Sequence, residues 1–183
     1  MSKASFIEPG ESSANSVDIP KWVWLYRRIF RLQEKEIKTM TAILQTDASY
    51  ALVVLRLGLA LTFFAHGAQH VFGWFGGRGL ADTIGNWNKK RGVPVPVCIL
   101  ALFIELGGSL AMLSGFLVRP AALGLALFMA MAMKEAHWEN GFFLNQGPGK
   151  GAGIEFCLAL FTMSVALLVG GAGALSIDNL LSR

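Results

Sequence analysis

From Tyr50 onward the sequence is a series of long apolar blocks separated by short polar stretches. This pattern restricts the fold more than any other feature. A helix needs about 20 apolar residues to cross the hydrocarbon core of a bilayer. Four segments fit that requirement, running from about Tyr50 to Phe72, Pro94 to Leu117, Pro120 to Trp138 and Gly151 to Gly171. Pro94, Pro96 and Pro120 stand where a first helical turn tolerates proline. Only "VRP" (Val118–Pro120) separates the second and third blocks, which demands a tight hairpin, and Gly170, Gly171 and Gly173 close the last block. The expectation is an all-α fold: an integral membrane antiparallel four-helix bundle with an N-terminal interfacial amphipathic helix. Composition agrees. Charged residues make up 15% of the chain and hydrophobic ones 54%, whereas a soluble domain carries about 25% charge.

The organisation predicted is a disordered arm over 1–20, an amphipathic interfacial helix over 21–48 and the bundle over 49–183. The arm is small and polar and ends at Pro20. The helix mixes Trp22, Trp24, Leu25, Ile29 and Phe30 with Arg27, Arg28, Arg31, Lys35 and Lys38. That is too much charge to span a bilayer but suits its surface. No cleavable signal peptide is visible, so the first span is expected to act as its own insertion signal. The net charge of +4 is read as topology and membrane-surface charge, and no nucleic-acid motif accompanies it. An even number of spans puts both termini on one side. The full Lys/Arg tally favours the cytoplasmic side of a bacterial inner membrane. Cys98 and Cys157 cannot make a disulfide framework and read as small buried hydrophobes.

Within the spans, Arg56, His66, Gln69, His70, Glu105, Glu135, His137 and Glu155 are the exceptions. An ionisable group at mid-bilayer costs about 2.5–3.5 kcal/mol or more, so it normally faces the bundle interior and finds a partner. Antiparallel geometry brings all three histidines, with Glu105 and Glu155, into the half opposite the termini or to the midplane. Arg56 lies nearer the other face, either snorkelling to headgroups or paired with Glu105. His66 and His70 share one side of the first helix. His66 is expected to be the deep member of a polar pocket and His70 the water-exposed one. Glu105 and Glu155 stand opposite, His137 stands at the rim, and Gly107 and Gly108 bring a neighbouring helix close to Glu105.

An ordered set of motifs carries a family resemblance: "RLGLALTFFAHG" from Arg56, "FGGRGLADT" (Phe75–Thr83), "IELGGSLAMLSG" (Ile104–Gly115), "HWENGFF" (His137–Phe143), "GIEFCLALF" (Gly153–Phe161) and "GAGALSIDNLL" (Gly171–Leu181). The set resembles the DoxX family of small four-helix membrane proteins over about Tyr50 to Leu181. Relatives include membrane subunits of thiosulfate:quinone oxidoreductase. Others join superoxide dismutase and a sulfurtransferase in a complex that handles oxidative and thiol stress. The resemblance implies a redox-associated membrane subunit with partner proteins. It carries over Arg56, His66, Glu105, His137, Asn140 and Glu155 as its polar residues. Gln69 departs from the lysine often found there, which removes one positive charge from the site.

The expected function is a quinone-linked subunit of a membrane oxidoreductase system. His66, Glu105 and Glu155 are the expected catalytic residues, and Arg56, Gln69, His137 and Asn140 the ligand-binding ones. The chain has no C-x-x-C-H, no Rossmann glycine motif and no iron–sulfur cysteine set, so electrons must come from a partner protein or a bound haem. Two alternatives stand beside this reading. One is a non-enzymatic scaffold or small-molecule carrier with a structural polar core. The other is a haem- or metal-binding subunit, for which imidazole and carboxylate are suitable ligands; no metal-ligand set is assigned.

Overall fold

The computed structural model describes residues 20–144 and 151–182. Among them the fold is all-helical. The arm predicted over 1–20 lies outside the described residues but for Pro20. The chain divides into two compact units with their boundary between Thr39 and Met40. Helix α1, Lys21–Leu44, makes up the described part of the first unit and runs across that boundary. Trp22, Tyr26 and Phe30 on it are exposed.

The second unit is built on four apolar helices. Helix α2 covers Tyr50–Phe72, α4 Val95–Ser114, α5 Val118–Ala132 and α6 Glu155–Gly170. Helix α2 packs on α4, α4 on α5, α5 on α6 and α6 on α2, which closes a ring. Leu59 and Phe63 of α2, Met112 of α4, Leu125 and Phe128 of α5 and Leu160 and Leu167 of α6 fill its centre. Two close approaches set the spacing. A Cβ on Gly67 would stand 3.2 Å from the Leu106 Cα, and one on Gly108 would stand 2.9 Å from the Leu125 Cδ2. The α4–α5 contact forms at Gly108 rather than Gly107, whose Cβ would meet only Phe103 of its own helix.

The outward faces of the ring are apolar as well. Val54, Leu61, Phe103 and Val169 are all more than 70% exposed. In water such a surface drives association; in hydrocarbon it is the natural exterior. Helices α2 and α4 are long and apolar enough to cross a membrane. The other two apolar helices differ from the expected spans. Helix α5 begins at Val118, two residues before Pro120, and continues into a π-helical turn, Met133–His137. Helix α6 starts at Glu155, because residues 151–154 are spent in the turn that enters it.

Two further helices sit at the ends of the ring. Helix α3, Gly79–Arg91, follows a 3-10 turn at Trp74–Gly76 and packs on α2 and α4. Asp82 in its first turn and Lys89, Lys90 and Arg91 in its last complement the helix dipole. Helix α7, Ile177–Leu181, is capped by Ser176, whose Oγ accepts from the Asn179 N–H at 3.1 Å.

Candidate functional site

The site forms where α2 ends. Gly73, in the left-handed conformation, terminates α2, and the chain folds back through Trp74–Gly76. The Gln69 amide donates to the Phe75 carbonyl at 3.2 Å. Gly77 lies so close to the Gln69 backbone that a Cβ there would overlap its carbonyl oxygen. This contact is why the "FGGRG" stretch needs a residue without a side chain at that position. Helix α3 then passes over the end of α2. A cleft of about 280 Å³ remains between them, lined by Gln69, His70, Gly76, Gly77, Arg78, Thr83, Asn86 and Trp87.

At the edge of this cleft His70 Nδ1 meets Glu105 Oε2 at 2.8 Å. The Glu105 side chain is 2% exposed and that of His70 is 30% exposed. A proton shared by this pair can therefore exchange with the cleft through the imidazole while the carboxylate stays enclosed. The Trp87 ring stands edge-on to His70 with centroids 5.4 Å apart. Thr83, on α3, is buried to 2% exposure, and its hydroxyl has no hydrogen-bond partner. A buried polar atom left unpaired costs about 1–3 kcal/mol. A hydroxyl in that state beside a cleft is ready for a ligand or a water.

His66 is not enclosed as expected of it. It is exposed, one turn below His70 with ring centroids 6.4 Å apart, and 6.5 Å from Phe156 at the start of α6. The reversal has a simple cause. Depth along the helix axis set the expectation, but α3 and Trp87 cover His70, while nothing comparable covers His66.

Glu155, His137 and Asn140 form a second group in the turn between α5 and α6. The His137 Nδ1–H donates to the Ala152 carbonyl at 2.8 Å, and the Asn140 amide donates to the same oxygen at 3.0 Å. Glu155 Oε2 accepts the Leu144 N–H at 2.9 Å. These three side chains tie the turn together. Arg56 lies at the other end of the ring, 2% exposed. It pairs with neither Glu105 nor the headgroup region. Its Nη1 donates to the Met112 and Leu113 carbonyls at 2.8 and 3.2 Å, and its Nη2 to that of Leu175 at 3.1 Å.

Asp178 escaped the sequence reading. It is 1% exposed and accepts the Leu117 and Val118 N–H groups at 2.8 and 2.9 Å. It thereby caps α5 while Arg56 caps α4, and its charge acts on the guanidinium. The sequence signal was the capping pattern of "SIDN", which marks a helix start but not the distant turn it serves. Cys98 and Cys157 are both buried free thiols. Among the described residues no three His, Cys, Asp or Glu side chains gather in a group suited to a metal.

An apolar exterior, a ring of apolar helices and a carboxylate–imidazole pair at a polar cleft define a helical membrane protein with a buried ionisable group. Residues 51–138 match the DoxX family model, and over that segment the chain is similar to DoxX proteins. Arg56, His66, Gln69, His70, Glu105 and His137 fall inside it, and Asn140, Glu155 and Asp178 beyond it. The chain is also similar to inner membrane protein YqjF of Escherichia coli (strain K12). The two are 28% identical over 134 residues, which is 72% of this chain and 92% of the relative. No solved structure matches the chain.

Proposed function

We propose that this protein is a multi-pass inner-membrane redox subunit whose cleft takes the head group of a lipid-soluble quinone. In this reading the four apolar helices cross the bilayer as an antiparallel bundle with both termini cytoplasmic. The observation that carries the proposal is the enclosed Glu105–His70 pair opening onto a cleft with an unpartnered buried hydroxyl. Converting a quinone to its quinol takes two electrons and two protons. Thr83 donates a hydrogen bond to one quinone carbonyl. His70, backed by Glu105, delivers a proton to that oxygen and recovers one from water, and water in the cleft supplies the second proton to the opposite carbonyl oxygen. Gln69 and Asn86 orient the ring, which lies beside Trp87. Electrons arrive from a redox partner protein.

The test uses protein purified in mild detergent. Bound lipids are extracted and identified, the visible spectrum is recorded, and a short-tailed quinone is titrated against Trp87 fluorescence. The expected result is a co-purifying quinone, or saturable quenching that weakens roughly tenfold in His70→Ala and in Thr83→Val, the loss expected for one hydrogen bond in a closed site. No co-purifying quinone and no saturable quenching would overturn the reading, and a Soret band would replace it with haem binding. A second reading, a carrier of small polar molecules, draws support from the mainly polar lining of the cleft. It predicts that Glu105→Gln leaves function intact.

A further inference from the structure

Helix α1 is not covered by the DoxX match. Successive residues of an α-helix are turned by about 100°. On that wheel Trp22, Leu25, Tyr26, Ile29, Phe30 and Leu32 fall within one half. Lys21, Arg27, Arg28, Arg31, Lys35 and Lys38 occupy the other half, so the helix has one apolar and one basic face. The apolar face is uncovered in this chain: Trp22 is 70%, Leu25 59%, Tyr26 67% and Phe30 58% exposed. Glu34 is tied to Lys38 at 2.6 Å, so it offsets one of the cations. A groove of about 310 Å³ runs between Tyr26, Arg27, Phe30 and Arg31, with guanidinium groups beside aromatic rings.

We infer that α1 lies flat on the bilayer and docks there by binding anionic phospholipid headgroups. Two observations select this occupant. Only residues 45–49 separate α1 from Tyr50, the first residue of a helix able to cross a membrane, so a bilayer surface is always within reach of the chain. The basic half of the helix, six Lys and Arg against Glu34, with Trp24 among them and Glu36 on the apolar side, complements a negative surface. Tryptophan and tyrosine rings belong at the headgroup level, and the aliphatic stems of Arg and Lys run beside them. Apolar burial sets the depth, and the cations make the docking depend on lipid charge and on salt.

The experiment uses the full chain in nanodiscs. A spin label is placed at Leu25→Cys in a Cys98→Ala/Cys157→Ala background, and its collisions with oxygen and with a water-soluble nickel chelate are compared. Discs of phosphatidylcholine alone are set against discs containing phosphatidylglycerol. With the anionic lipid, the label becomes oxygen-accessible and shielded from nickel. Added salt reverses this, and so does Arg27→Gln/Arg28→Gln/Lys35→Gln. Three lost charges lower the docked-to-undocked ratio roughly 100-fold. Arg27→Lys/Arg28→Lys retains docking, which separates loss of charge from loss of structure. A label depth that is the same in both lipids and unmoved by the charge variants would overturn the inference. Dipolar broadening between labels in both lipids would also overturn it, and would make a second copy of this chain the occupant.

Discussion

Removing the Asp178 carboxylate tests how the turn between α4 and α5 is held. In Asp178→Ala the Leu117 and Val118 N–H groups lose both of their acceptors. Val118 is fully buried, so water cannot easily replace them. Hydrogen bonds to charged groups contribute about 1.5–3 kcal/mol each, and the start of α5 loses a favourable negative charge worth up to about 2 kcal/mol. The variant also leaves the buried Arg56 guanidinium without the opposite charge acting on it. These effects overlap and do not sum. Each buried donor left unpaired costs about 1–3 kcal/mol, a large part of a total stability of about 5–15 kcal/mol. The assay is reversible unfolding in detergent or bicelles, with Asp178→Asn as the intermediate case, because one amide oxygen still accepts. The Arg56→Met/Asp178→Ala double variant should lose less than the two singles combined, with a coupling of at least about 1 kcal/mol. A loss below about 1 kcal/mol for Asp178→Ala, or strict additivity with Arg56→Met, would refute the reasoning.

Gly115→Ala is expected to destabilise by about 2–3 kcal/mol in the same assay, because the residue sits at φ +70° and a Cβ would stand 2.5 Å from both Arg56 Nη1 and Ser176 Cβ. Gly77→Ala should leave the fold in place but lift the loop from Gln69, so quinone quenching of Trp87 weakens while the thermal transition shifts little. Glu105→Gln should retain the His70 contact and the fold yet slow proton-coupled turnover with an added donor, and full turnover would remove the proton-exchange role. For orientation, Gly85→Cys is suitable, since a Cβ there meets nothing within 4 Å; a membrane-impermeant maleimide should label it in intact cells, and labelling only after permeabilisation would invert the topology.

Much of this was legible in the sequence for physical reasons. Helix α2 has the expected bounds, since a long apolar run closed by a left-handed glycine has few alternatives. Glu105 stood out because burying a carboxylate is costly without a partner, and it is indeed enclosed. Its partner was misread, because the covering of His70 by Trp87 and α3 depends on a helix that the sequence reading did not identify. That helix, "GLADTIGNWNKKR", has little hydropathy to reveal it. Its signal was electrostatic, an acid in the first turn and three bases in the last. The role of Arg56 was hidden for another reason. Its acceptors are backbone carbonyls and its counter-charge, Asp178, lies in the polar tail, so no side-chain pattern within the spans points to either.

The order in which the chain is made gives the Asp178 contact a meaning of its own. Helices α4 and α5 are joined by Gly115, Phe116 and Leu117 alone, so they can pair as soon as both have left the ribosome. Their turn nevertheless stays unlatched, because Asp178 lies 61 residues beyond Leu117. At about 5–20 residues per second that is a wait of roughly 3–12 seconds, during which α6 is also made. Until then the Leu117 and Val118 N–H groups await their acceptor. Asp178 thus makes the latching of the α4–α5 turn wait for the segment that follows α6, and a copy cut short before it presents an open, polar turn.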